Sequence, residues 1–249
     1  MHDLTLSARL IVAADFKPIP GLKRLDTRLR IRRNVLDLAG ALKEAGVCIK
    51  VNSALRSWGY RLIDDIRDLK LPVFADLKLC DIGSTLATDG TLLGGAQPEL
   101  LTVMCSAGVS AMRALKAELP DTKVLGVTVL TSLNDADAQA IYGCSITCAV
   151  LRLAHSAAEA GIDGLIASPK EVRILRSEFG DMLEIVTPGI RPTWARVAGD
   201  DQNPDRVMTP AEAILAGADR IVVGRPITQA KSPYDAVVLT LEEINNALK

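Results

Sequence analysis

Val73-Phe74-Ala75-Asp76-Leu77-Lys78-Leu79-Cys80-Asp81-Ile82 reads as an apolar β-strand that runs into three charged residues. Strand side chains alternate between faces, so Asp76 and Lys78 point the same way, and Asp81 falls just past the strand's end in a turn marked by Gly83 and Ser84. Two carboxylates and an ammonium gathered at one strand end cost stability through desolvation and like-charge repulsion. Either the cluster serves chemistry or it is a solvated ion pair capping the strand, and the rest of the chain decides between these.

Outward from this stretch, short β-rich apolar runs alternate with longer segments of helical period. The strands are Leu10–Ala14, Val47–Val51, Val73–Asp76, Leu100–Met104, Val124–Thr128, Gly164–Ala167, Glu184–Thr187 and Arg220–Val223. Helices are expected over Arg33–Glu44, Trp58–Leu69, Ser84–Leu93, Ser110–Leu119, Thr147–Ala160, Lys170–Glu178, Pro210–Ala216 and Tyr234–Ala247. Near-continuous apolar strands in strict β-α alternation argue for a parallel sheet buried on both faces, and eight units argue for closure. The fold class is therefore α/β, a single (β/α)8 barrel of parallel strands. The 249 residues match the roughly 250 such a barrel needs, and no Pro/Ser-rich linker divides them, so residues 1–249 are expected to form one catalytic domain. Phe16 to Leu29, between the first strand and its helix, is left unassigned.

Composition narrows the function classes. Hydrophobic residues make up 49% and aromatics only 3%, with a net charge of −1, which leaves no basic field for nucleic acid and few platforms for stacking bases. No apolar run approaches the roughly 18 residues of a membrane span, and Asp3 and Arg9 precede the first strand where a secretory signal would be apolar. A cytoplasmic enzyme without nucleic-acid or membrane partners is expected. Cys48, Cys80, Cys105, Cys144 and Cys148 are odd in number, lack zinc-site spacing and read as reduced thiols. His2 is terminal and His155 lies on a helical run, so neither suggests a catalytic triad.

In such barrels chemistry sits where the βα loops converge, at the carboxyl ends of the strands. Asp15, Lys50, Asp76, Lys78, Thr131, Pro188 and Arg225 all fall at or just beyond strand ends, which gathers them into one pocket. The loops after strands seven and eight, where barrels often hold phosphate, carry Pro188-Gly189-Ile190-Arg191 and Gly224-Arg225-Pro226. Arg225 offers a bidentate fork and Gly224 an unobstructed N–H, which suit a phosphate dianion. Gln202 lies in the polar segment Thr193 to Arg206, which fits a lid.

Asp76-Leu77-Lys78-Leu79-Cys80-Asp81-Ile82 followed by Thr85 resembles the signature of the orotidine 5'-phosphate decarboxylase family. So do Arg9 to Asp15, Ile49-Lys50-Val51, Val127 to Ser132, Thr187 to Pro192, Asp200-Asp201-Gln202, Arg206 to Pro210 and Ile221 to Ile227, in the family's order. The resemblance implies decarboxylation of orotidine 5'-monophosphate to uridine 5'-monophosphate with no metal or other cofactor. It assigns Lys50, Asp76, Lys78 and Asp81 to an alternating charge network in which Lys78 protonates C6. Asp15 would bind the ribose, Thr131 the pyrimidine amide edge, and Pro188, Arg191, Gln202, Gly224 and Arg225 the rest of the nucleotide. Ile82 would bind substrate as well, and Asp81 and Thr85 would reach the site of the other subunit of a homodimer.

Lys50 separates close relatives, because magnesium-dependent sugar-phosphate decarboxylases and aldolases of the same suprafamily resemble the chain but carry a glutamate there. That activity, and a non-catalytic nucleotide-binding barrel, stay open as alternatives. Asn52 stands where the family commonly has glycine, Cys80 where it often has histidine, Gly83-Ser84 for Pro-Asn and Met104-Cys105 for His-Ala. Without proline, the turn that places Thr85 is less rigid.

Overall fold

The computed structural model describes residues 2–195 and 207–249. Eight parallel strands, β1 Leu10–Ala13, β2 Cys48–Val51, β3 Val73–Leu79, β4 Leu100–Met104, β5 Lys123–Val127, β6 Gly164–Ile166, β7 Glu184–Thr187 and β8 Arg220–Val223, pair in sequence order. Pairing of Ile11 with Val222 closes the barrel between β1 and β8. Seven of the strands lie within one residue, at each end, of the runs read from sequence; β3 is longer by three.

Why the strands read as continuous apolar runs is visible in their two faces. Leu10 and Val12 of β1 pack outward against the helical layer, while Ile11 and Ala13 turn inward onto Cys48, Phe74, Leu100, Leu125, Val186 and Val222. Gly164 lets β6 and β7 approach closely: a Cβ there would lie 2.3 Å from the Glu184 carbonyl oxygen.

The floor of the barrel, at the amino ends of the strands, is ionic. Arg220, 2% exposed, donates to Glu184, to Glu99 Oε1 at 2.6 Å and to the Ala8 carbonyl at 3.1 Å. Lys123 Nζ meets the other Glu184 oxygen at 2.5 Å. Burial opposes the charge on Glu184, but Arg220 and Lys123 outweigh it and hold the carboxyl below its ordinary range.

The helical layer differs from expectation in several places. A helix over Arg24–Leu42 starts well before Arg33 and absorbs the end of the unassigned connection. The expected Trp58–Leu69 helix is shorter, Arg61–Arg67, and an unforeseen helix over Ser53–Trp58 precedes it, the two separated at Gly59, whose φ of +69° a β-carbon would disfavour. An unforeseen helix over Asp135–Tyr142 is capped by a reciprocal Asn134–Asp137 pair and ends at left-handed Gly143. Pro210–Ala216 forms as read, with Thr209 and Glu212 closing its capping box. Among the described residues no helix is long and apolar enough to cross a membrane.

Candidate active site

At the carboxyl end of the barrel β3 does not continue as a plain alternating strand. Ala75 pairs with Leu101 and Leu79 with Val103, so Asp76, Leu77 and Lys78 stand opposite Thr102 alone. Lys78 takes up the bulge with φ +51°, a left-handed conformation that costs a non-glycine residue about 1–2 kcal/mol. Asp76 and Lys78 therefore meet through a bulge rather than through simple two-residue alternation: Lys78 Nζ lies 2.5 Å from Asp76 Oδ1.

Asp76, 6% exposed, accepts four hydrogen bonds. Oδ1 receives Lys78 Nζ and the Thr102 hydroxyl at 3.0 Å; Oδ2 receives Lys50 Nζ at 3.0 Å and Asn52 Nδ2 at 3.4 Å. Lys50, 7% exposed, also reaches Asp15 Oδ2 at 2.7 Å. The result is an alternating row, Asp15–Lys50–Asp76–Lys78. Burial works against the Asp76 charge, yet the two lysines hold its carboxyl below the usual range. Burial likewise works against Lys50, and Asp76 and Asp15 reverse it, so its ammonium is held above the ordinary value. Lys50 is enclosed between carboxylates, whereas the Lys78 side chain is 29% exposed and faces usable space.

That space is a cavity of about 500 Å³, within the range of small-molecule sites. Asp15, Lys50, Asp76, Lys78, Thr131, Pro188, Arg191, Gly224 and Arg225 all line it, as the strand-end rule requires. Gly189, with φ +79°, turns the loop after β7, and the Arg191 N–H bonds the Met208 carbonyl at 2.9 Å, which seats the 7%-exposed Arg191. Gly224 precedes a one-turn helix over Arg225–Thr228. Asp81, Ile82 and Thr85 do not line this cavity. Asp81 is exposed and accepts the Ile82 N–H at 2.7 Å, Ile82 is 69% exposed, and Thr85 lies in the first turn of the helix Gly83–Ala96. Within one chain Asp81 is thus outside the charge row. Gln202 falls outside the described residues.

Sequence reasoning missed Lys17 and Thr228 on the cavity wall and Thr102 behind it. Asn52 was noticed only as a departure. Thr102 carried a signal, being the single polar residue in the apolar run Leu100–Met104.

A family model described as orotidine 5'-phosphate decarboxylase / HUMPS family matches residues 8–238. The chain belongs to this family. It is 39% identical over 245 residues to the orotidine 5'-phosphate decarboxylase of Rhodopseudomonas palustris (strain BisA53), covering 96% of this chain and 95% of that one. The corresponding protein of Heliobacterium modesticaldum (strain ATCC 51547 / Ice1) is 37% identical over 253 residues, with 96% and 97% covered. Among solved structures, orotidine 5'-phosphate decarboxylase from Lactobacillus acidophilus superposes with a TM-score of 0.75 at 30% identity, covering 96% of this chain and 99% of that one. A structure from Pyrococcus horikoshii OT3, TM-score 0.71 at 22% identity and covering 95% and 99%, shares the fold.

Proposed function

We propose that the chain decarboxylates orotidine 5'-monophosphate to uridine 5'-monophosphate in pyrimidine biosynthesis. The observation that carries this reading is the row Asp15–Lys50–Asp76–Lys78, buried at Lys50 and Asp76, opening into a cavity that Arg191, Gly224 and Arg225 also line. When the bond between C6 and the carboxylate carbon breaks, its electron pair stays on C6 in an orbital the pyrimidine ring delocalises poorly. An adjacent fixed cation lowers the energy of that charge. The Lys78 ammonium supplies it and then transfers a proton to C6, carbon dioxide leaves, and the neutral amine regains a proton from solvent. Asp76 holds Lys78 in place and stands near the departing carboxylate. Asp15 takes the ribose, Thr131 the pyrimidine edge, and Arg191, Gly224, Arg225 and Gln202 the phosphate end, with Pro188 on the wall between them.

The family description spans two activities, and Lys50 favours the decarboxylase over the sugar-phosphate enzymes. A divalent cation at Asp76 would face two ammonium groups within 3.0 Å of that carboxylate. We read residues 1–249 as one cytoplasmic catalytic domain, and the exposed Asp81-Ile82 turn with Thr85 as the part each chain lends to its twin in a homodimer. Exposed Ile82, and Leu92 at 59% exposure on the helix that follows it, fit a covered face. The test is to follow the absorbance of orotidine 5'-monophosphate with purified protein and chelator. Turnover should proceed without added metal or cofactor. A strict magnesium requirement would move the chain to the sugar-phosphate enzymes, and nucleotide binding without turnover would make it a silent barrel.

A further inference from the structure

We propose that Thr102 is a positioning residue for the decarboxylation step, fixing Lys78 and Asp76 together through one hydroxyl; this rests on the reading of the site given above. Thr102 is fully buried on β4 and does not line the cavity. Its Oγ1 accepts the backbone N–H of Lys78 at 2.9 Å and donates to Asp76 Oδ1 at 3.0 Å. The bulge explains why a hydroxyl is needed there. With three residues of β3 opposite one of β4, the Lys78 N–H is not satisfied by the regular ladder, and an unpaired buried donor is costly.

A hydroxyl can accept and donate at once, and here each bond orients the other. Accepting the N–H pins the backbone of Lys78 in its left-handed conformation. Donating to Oδ1 places a second donor beside the Lys78 ammonium on the same oxygen, so the carboxylate cannot swing to follow the lysine. One small group thereby sets both ends of the Asp76–Lys78 pair. Since proton delivery to C6 depends on where Nζ sits, its loss should act on the chemical step while leaving the phosphate wall untouched.

Valine has the shape of threonine without the hydroxyl, so Thr102→Val tests this directly beside Thr102→Ser, which keeps the hydroxyl. The expected result is a kcat about 100-fold lower in Thr102→Val with KM and uridine monophosphate affinity within about threefold, and most of the loss restored in Thr102→Ser. Added to Lys78→Ala, Thr102→Val should bring no further loss, because the hydroxyl acts through Lys78. Thr102→Ala, which makes no steric demand, replaces the valine variant if that one does not fold. Unchanged kcat in the truncated variants, or kcat and nucleotide affinity falling together, or a serine variant no better than valine, would overturn the proposal. An inactive wild-type protein would instead overturn the reading of the reaction, so the two failures are distinct.

Discussion

Lys78 and Arg225 line one cavity but should fail in different ways when truncated. On the proposed reaction Lys78→Ala removes a cation needed only once charge develops on C6, so kcat should fall by several orders of magnitude while uridine monophosphate binds nearly as before. Arg225→Ala removes a charge-assisted contact worth about 1.5–3 kcal/mol, so phosphate-bearing ligands should bind roughly 10- to 100-fold more weakly, and the loss should shrink for a nucleoside lacking phosphate. Steady-state kinetics with and without the phosphate separates the two; the same pattern in both variants would contradict this division. Asp15, Lys50, Asp76 and Arg225 could be found from sequence because each sits where an apolar run ends, and strand ends converge in a barrel. Thr102 and Asn52 could not be assigned roles, since their partner Asp76 lies on a neighbouring strand and only the actual register brings them to it.

Strand positions were legible because burial on both faces makes each strand an uninterrupted apolar run. The bulge in β3 was not, since extra residues opposite Thr102 leave no mark on a pattern that is charged there anyway. The break at Gly59 was hidden for a similar reason, as apolar spacing continues through both short helices. The Asp135–Tyr142 helix has readable caps in Asn134, Asp137 and Gly143, but it is an extra helix ahead of the one that completes its unit, so β-α alternation does not call for it. At this scale the sharpest expectation concerns β6. Gly164→Ala would press a methyl against the Glu184 backbone and part β6 from β7, which should cost about 1–3 kcal/mol or more, read as a lower urea midpoint. An unchanged midpoint would mean that the two strands can separate freely.

Across the assembled molecule, Asp81 lies outside its own chain's cavity, which makes the shared-site reading testable by mixing. If the chain forms the proposed homodimer, Lys78→Ala and Asp81→Ala chains, each inactive alone, should on joint refolding regain about a quarter of wild-type activity, since about half the dimers would be mixed and each would rebuild one site of two. Verified subunit exchange without recovery would place Asp81's role within its own chain. Stability should fall on both flanks of pH. Asp76 and Glu184 are held below their ordinary values, so their contributions are complete at neutral pH and vanish as pH drops below about 4; that of Lys50, held above, is lost only as pH rises past about 10.4. Glu184→Gln should flatten the acid flank and cost about 3–5 kcal/mol by leaving Arg220 incompletely paired, measured as urea midpoints across pH. An acid flank as steep as in the wild type would remove Glu184 from that account. Between this floor and the charged row at the strand ends lie Ile11, Ala13, Cys48, Phe74, Leu100, Leu125, Val186 and Val222, whose one titratable group, the Cys48 thiol, is pushed well above its ordinary value by burial. The barrel is thus built like a capacitor, two charged plates held apart by an insulating film, and a charge altered on the lower plate changes how firmly the molecule holds together while the upper plate keeps its tuning.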